Sequence, residues 1–248
     1  MKFKTAADAV WKRLQASKGK RRCGFWVAVL PASLAVAIVA FALEEPKPLR
    51  PTAPRRFWIR RTDLARLHRA YWLVVALAAL MNLARFSQAF LLLRAGNVGL
   101  SVAFIPSVLI AMNAFYAVSA YPFGSLSDRL PRRRVVVLGA ALLLAANLVL
   151  AAAQHVPAVF LGAALWGLHL GATQGLLSAL VADSCPDNLR GTAFGIFNLV
   201  KGAALLLASI VAGWLWVRLG PSSTFIAGAT FAGFSLMGIT AWALTKGA

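Results

Sequence analysis

Acidic residues and cysteines are scarce in this chain. Asp and Glu number 7 against 26 Lys and Arg, which leaves a net charge of +19. The two cysteines, Cys23 and Cys185, form neither a disulfide framework nor the paired spacing of a zinc site, so no metal centre is expected. Charged residues of all kinds make up only 13% of the sequence. A soluble globular protein carries about 25%, and the scarcity argues against that class.

Catalytic signatures are missing as well. The sequence contains no H-E-x-x-H, no G-x-S-x-G and no pair of Asp residues inside an apolar segment. We therefore expect neither an enzyme nor a cofactor. Nucleic-acid binding is also disfavoured, because the basic residues lie mostly in short segments that flank apolar runs.

Long apolar runs dominate what is present. Hydrophobic residues are 60% of the 248, and the mean hydropathy is +0.73. A membrane-spanning helix needs about 20 apolar residues. The pattern predicts an all-α, polytopic membrane protein with about seven transmembrane helices in a lipid bilayer. The candidate spans are residues 24–43, 70–93, 101–123, 135–153, 157–182, 192–217 and 222–244.

Basic residues in the connections predict the orientation of these spans. If residues 44–69 face the cytoplasm, the loops on that side hold fourteen basic residues, and the opposite loops hold Arg94 and Arg218. Residues 1–22 add eight more to the outer side, so the first span alone conflicts with the positive-inside rule. We predict a basic amphipathic leader at 1–22, a transmembrane helix at 23–43, a basic Pro-rich cytoplasmic connection at 44–69 and a six-helix domain at 70–245.

One connection carries a distinctive motif. It reads Gly124-Ser-Leu-Ser-Asp128-Arg129-Leu-Pro-Arg132-Arg133-Arg134 and is predicted to be a cytoplasmic loop. It resembles the G-x-L-x-D-R-x-G-R-[KR] signature of the major facilitator superfamily of secondary transporters, with Pro131 where the family prefers Gly. The segments Phe41–Pro46 and Asp183–Gly195 resemble the end of the family's sixth helix and the loop between its tenth and eleventh helices.

This resemblance implies that residues 24–244 correspond to helices six to twelve of a transporter. The chain is then the carboxyl half plus the preceding helix, as a natural half-protein or as a truncated or mis-started reading frame. It also implies that Asp128 offers a negative charge to a helix N-terminus, while Arg129, Arg132 and Arg133 order the loop and form ion pairs. The helix that should receive Asp128 belongs to the other half.

Polar side chains within the spans are the candidates for a substrate cavity, because such groups usually face a cavity or a partner. They lie in four of the seven spans, which the resemblance matches to the four helices that line the cavity in this half of the family. Asn82 and Arg85 are three residues apart and are expected to share a helix face. The candidates are Asn82, Arg85, Gln88, Asn113, Tyr116, His169, Gln174, Asn198 and Lys201.

Two of these candidates are cations with no acid inside any span. Arg85 and Lys201 could hold an anionic substrate or carboxylates of the other half; the alternative for each is snorkelling or a structural hydrogen bond. His169 could relay protons or be a packing residue. Gly167, Gly171 and Gly175 recur every four residues, which predicts a face for close helix packing.

The resemblance implies secondary active transport of a small molecule by alternating access, with proton-coupled efflux among its forms. The expected location is a bacterial cytoplasmic (inner) membrane, and the expected partner is an amino-terminal half or a second copy. The alternative is a non-transporting membrane fragment that needs a partner half. A seven-helix receptor is disfavoured, because it would need a Lys in the last span with an acidic counter-ion, whereas Lys201 lies in the sixth span and has no such acid.

Overall fold

The computed structural model describes residues 67–244 without interruption, together with single positions at 29, 33, 34, 36, 37 and 64. The chain divides into two units, Met1–Phe57 and Trp58–Ala248. The five described residues of the first unit are all helical. The predicted leader at 1–22, and nearly all of the predicted segments at 23–43 and 44–69, lie outside the described residues.

Residues 69–244 are mostly helical, and residues 67–244 contain no strand. Pro stands in the first turn of several helices, where its missing N–H removes no bond. α1 and α2 together form one span, Arg69–Asn97, and five further helices are also long and apolar enough to cross a membrane. The all-α, multi-pass architecture is thereby confirmed. The helices are α1 Arg69–Ala84, α2 Ala89–Asn97, α3 Pro106–Arg129, α4 Arg132–Ala152, α5 Val156–Asp183, α6 Arg190–Leu219 and α7 Pro221–Leu244.

Helices α5 and α7 organise the packing of the six spans. α5 contacts α3 and α4, while α7 contacts α4, α1 and α6. One apolar core lies at the end that the positive-inside rule assigns to the cytoplasm, around Tyr71 and Val181. A second lies at the outer end, where Phe86, Trp166 and Phe225 stack edge to face. Two cores therefore hold the opposite ends of the bundle.

Helices α3 and α6 are the least enclosed. Only 17% of the most apolar stretch of each is buried, against 39–56% in the other four spans. Their exposed side chains are largely apolar, including Val118 on α3 and Val217 on α6. A face of this composition needs lipid or another protein segment against it.

Small residues bring α3 and α5 close together. A Cβ at Gly167 would collide with the backbone carbonyl of Met112, and one at Gly171 would collide with Ser119. The predicted packing face is thus confirmed at these two glycines. At Gly175 it is wrong, because no atom lies within 4 Å of where its Cβ would stand.

The structure corrects two predicted boundaries. The segment Gly124–Arg134 is not a loop: α3 continues to Arg129, and only Leu130 and Pro131 separate it from α4. Leu130 is extended, as expected for a residue before proline. The predicted continuous span at 70–93 is interrupted between Ala84 and Ala89.

Candidate functional site

A break in the first span lies at the centre of the candidate site. Residues Arg85–Gln88 are not helical, so backbone groups at mid-span lose their usual partners. The Ser87 N–H donates to Ser209 Oγ on α6 at 3.2 Å, and Asn147 Nδ2 on α4 donates to the Ala84 carbonyl at 3.4 Å. Polar side chains from two other helices thereby stabilise the break.

The break borders a cavity of about 530 Å³ between the first span and α6. Arg85, Ser87 and Gln88 supply its polar wall on one side, and Ser209 supplies one on the other. The remaining lining is Phe86, Gly202, Leu205 and Leu206. This is the composition of a small-molecule site, mostly apolar with a few convergent polar groups.

Arg85 carries the charge of this cavity. It is half-buried, and its side chain makes no hydrogen bond or ion pair with any residue of 67–244. It lies close enough to Tyr116, His169 and Lys201 to interact electrostatically with each. Every acid in that part of the chain stands at a helix end on the cytoplasmic side. Because Arg85 and Lys201 repel each other with no acid between them, an anion placed between them would relieve the repulsion.

Lys201 and Asn198 lie on α6 beside the break. The Lys201 ammonium stands 4.8 Å from the centre of the Phe197 ring, a cation–π contact that holds its position without neutralising its charge. Asn198 is exposed on the same helix. The predicted cation pair is therefore brought together by the fold, one member from the break and one from α6.

A second cavity, of about 370 Å³, lies between α3 and α5. Tyr116 donates a hydrogen bond from its hydroxyl to Gln174 Oε1 at 3.2 Å across the two helices. Gly124 and Asp128 line the same cavity toward the cytoplasmic end. Tyr116 also lies close enough to Arg85 to interact with it electrostatically, so the two cavities adjoin. The region that these cavities occupy, flanked by α3 and α6, is called the open side below.

Two predicted site residues, Asn82 and His169, are not part of this arrangement. Asn82 and His169 are 3% and 1% exposed, so both lie within the helix packing. Asn82 donates to the Ala78 carbonyl of its own helix, and His169 Nδ1 donates to the Gly139 carbonyl at 2.8 Å. Asn113 is exposed but donates to the Leu109 carbonyl. The expected shared face of Asn82 and Arg85 is wrong, because the helix ends at Ala84.

The motif residues lie at the end of α3 and the start of α4, on the side that the positive-inside rule assigns to the cytoplasm. Arg132 forms an ion pair with Asp183 at the end of α5, and the Arg133 guanidinium stacks 4.1 Å from the centre of the Trp242 ring on α7. Arg129 and Asp128 are exposed, and neither forms an ion pair with residues 67–244. Two of the motif's arginines therefore connect helix ends, while its acid is exposed at the edge of the second cavity.

Sequence reasoning missed two residues, Arg94 and Asn147. Arg94 was counted as a loop charge, yet it lies inside α2 and is 5% exposed. The sequence carries a signal for this burial, because Arg94 directly follows an apolar run. Asn147 is fully buried, and its Oδ1 has no hydrogen-bond partner among the described residues. Its relation to the break is visible only in three dimensions.

Comparison with known proteins gives consistent results. The chain is 33% identical over 178 residues to an uncharacterized MFS-type transporter of Methanocaldococcus jannaschii, covering 69% of this chain and 44% of that protein. It is 29% identical over 107 residues to a glucose transporter of Staphylococcus epidermidis, covering 40% of this chain and 24% of that one. A galactose-proton symporter of Escherichia coli K12 is 29% identical over 108 residues, 41% of this chain and 23% of that one.

The chain thus spans less than half the length of each of these relatives. The match to a family model is broader within this chain: residues 73–247 fit the model of the Major Facilitator Superfamily. That range covers all six described spans from the fifth residue of α1 onward. Together with the helical architecture and the motif at the ends of α3 and α4, it shows that this multi-pass membrane protein belongs to the Major Facilitator Superfamily.

Proposed function

We propose that residues 70–245 form the carboxyl-terminal six-helix half of a secondary transporter for a small molecule, located in a bacterial cytoplasmic membrane. The observation that carries the proposal is the gathering of polar groups from four spans on the open side between α3 and α6. Arg85 and Gln88 come from the break, Tyr116 from α3, Gln174 from α5 and Lys201 from α6. Ionisable groups placed in this way within spans usually mark a substrate path.

The mechanism we propose is alternating access. An amino-terminal six-helix half, on the same polypeptide or another, covers the exposed faces of α3 and α6, and the two halves rock about the cavity. In this scheme residues 23–43 form the helix before the central cytoplasmic loop, and residues 44–69 form that loop. The Arg132–Asp183 pair holds the cytoplasmic ends of α4 and α5 together during the motion.

The charge of the cavity favours an anion. Arg85 and Lys201 would bind either an acidic group of the substrate or a carboxylate of the other half. Two relatives are named for the neutral sugars glucose and galactose, which would instead use amides such as Gln88 and Gln174. The two substrate classes make different demands on Arg85 and can be separated by experiment.

The test is transport by the full chain in proteoliposomes, alone and together with the first five helices of the M. jannaschii relative. Labelled succinate, glucose and galactose serve as probes of the two substrate classes. We expect uptake only when both halves are present, and we expect Arg85→Gln to lower succinate uptake by about tenfold or more. Arg218→Gln, an exposed charge at the outer end of α6, is the matched control.

The outcomes separate the parts of the proposal. If sugar is taken up and Arg85→Gln does not change that uptake, the proposal of a transporter stands and the proposal of an anionic substrate is rejected. Loss of assembly in Arg85→Gln, detected by co-purification of the two halves, would assign the cation to a carboxylate of the other half. Absence of uptake of all three probes, despite assembly of the two halves, would favour the non-transporting fragment.

A further inference from the structure

A third polar cavity lies at the cytoplasmic end of the six spans, away from the break. Its volume is about 820 Å³, larger than that of either cavity described above. It collects the start of α1, the start of α4, the end of α5 with the turn that follows, and the last turns of α7. The side chains that bear on its chemistry are His68, Arg69, Arg133, Asp183 and Trp242.

The charge around this cavity is unbalanced toward positive. Arg69 and His68 are exposed and form no hydrogen bond or ion pair through their side chains with residues 67–244. Arg133 forms no ion pair with that part of the chain, and its stacking on Trp242 keeps the guanidinium on the wall of the cavity. The single acid in the lining, Asp183, is already paired with Arg132. Among the described residues, two guanidinium groups therefore line this space with no carboxylate paired to them.

The backbone adds to the positive potential of the arginines at this cavity. α1 and α4 both begin here, and neither has an acid in its first turn or a side chain that caps its N-terminus. Helix N-termini present free N–H groups and a partial positive charge. These two ends lie beside the arginines, so side chains and backbone attract the same kind of ligand.

The position of the cavity and the chemistry of its arginines indicate which class of anion it would bind. Trp242 lies near the end of the last span, where indole rings are typical of the membrane–water interface. Arginine binds phosphate oxygens with two parallel hydrogen bonds, and basic cavities between helices on this side of a membrane suit the headgroups of anionic lipids. We propose that this cavity binds an anionic phosphate group at the cytoplasmic surface, either on a phospholipid or on a soluble phosphate compound.

Native mass spectrometry of the full chain in detergent tests the proposal. The probes are dioleoyl-phosphatidylglycerol, dioleoyl-phosphatidylcholine as the lipid without net charge, and inorganic phosphate as competitor. We expect the first phosphatidylglycerol to bind more tightly than phosphatidylcholine. We expect Arg69→Gln and Arg133→Gln each to weaken that binding by about tenfold, the effect of losing one charge-assisted hydrogen bond.

Arg134→Gln is the matched control, because Arg134 is exposed, adjoins Arg133 and does not line the cavity. It should change the affinity less than twofold, as an outlying charge would. Arg69 is exposed, so its variant tests the site even if Arg133→Gln lowers stability, which the melting temperature without lipid would reveal. Displacement of the lipid by inorganic phosphate assigns a soluble ligand, and persistence of the lipid assigns a headgroup. Equal losses in Arg134→Gln and Arg69→Gln, or equal binding of the two lipids, would overturn the proposal.

Discussion

Arg94 shows how a single buried charge can complete a helix end. Its Nε donates to the Leu150 carbonyl at 3.0 Å, and its Nη2 donates to the carbonyls of Ala151 and Ala153 at 3.1 and 2.8 Å. These carbonyls belong to the last turn of α4 and the residue after it, where intrahelical donors run out; Leu150 also accepts from the Ala153 N–H. The guanidinium also suits the negative end of the helix dipole.

We expect Arg94→Gln to lower the free energy of unfolding by about 2–4 kcal/mol. A shorter neutral side chain cannot reach three carbonyls, and each hydrogen bond to a charged group contributes roughly 1.5–3 kcal/mol. The measurement is unfolding in detergent followed by circular dichroism. The matched control is Arg218→Gln, an exposed charge whose loss should change stability by less than about 0.5 kcal/mol. Equal effects of the two variants would show that Arg94 acts only through net charge.

At the scale of the elements, the close contact of α3 with α5 depends on Gly167 and Gly171 of α5. Gly175, on the same helix, serves as a control. We expect Gly167→Ala to destabilise the protein by roughly 1–3 kcal/mol, because its added methyl group would collide with the backbone of Met112. Gly171→Ala should act in the same direction through Ser119.

Gly175→Ala provides the comparison on the same helix. Space is open around it, and alanine favours a helix by up to about 1 kcal/mol over glycine. Its unfolding free energy in detergent should therefore stay equal or rise. A loss as large as that of Gly167→Ala would mean that α3 and α5 do not approach each other as described.

The elements also show what local sequence can and cannot predict. Apolar length and flanking arginines predicted all six described spans, because each depends only on neighbouring residues. The break at Arg85–Gln88 was missed, since no Pro or Gly lies within it. It is stabilised by Asn147 and Ser209, whose partners are 63 and 122 residues away in the chain. A feature held by such distant contacts leaves no local signature.

The polar residues predicted for the candidate site have two different roles in the structure. Spacing along the helices led to Arg85, Gln88 and Lys201, which the fold brings to one side. It also selected His169 and Asn82, which are polar for a different reason: each donates to a backbone carbonyl inside the packing. Sequence alone does not separate these uses, because polarity within a span looks the same in both.

At the scale of the whole molecule, the open side between α3 and α6 should contain water, while the outer face of α7 meets lipid. We expect a cysteine at Asn113 on α3 to react with N-ethylmaleimide in membranes, because a maleimide needs a hydrated thiolate. A cysteine at Met237 on α7, also exposed, should react at least tenfold more slowly in lipid.

Both variants are made in a background with Cys23→Ser and Cys185→Ala, and labelling is followed by the mass increase of the chain. Addition of the amino-terminal half should slow the reaction at Asn113→Cys if that half covers the open side. Equal resistance at both positions would place Asn113 in lipid and remove the support for a cavity on this side.

The short helix α2 connects the end of α4, to which its Arg94 is hydrogen-bonded, with the break beside the first cavity. Its Arg94 is bound to the end of α4 and also donates to Ser222 of α7 at 3.3 Å, whereas its other end stops at Gln88 beside the cavity. Because the chain is broken there, a change in the angle of α2 would not require α1 to bend. About 9 Å separate Arg94 and Gln88 along the helix, so a tilt of roughly 15° would move Gln88 by about 2 Å. A displacement of that size is enough to make or break a hydrogen bond between Gln88 and a ligand in the cavity, so the angle of α2 would affect how well Gln88 can contact a ligand.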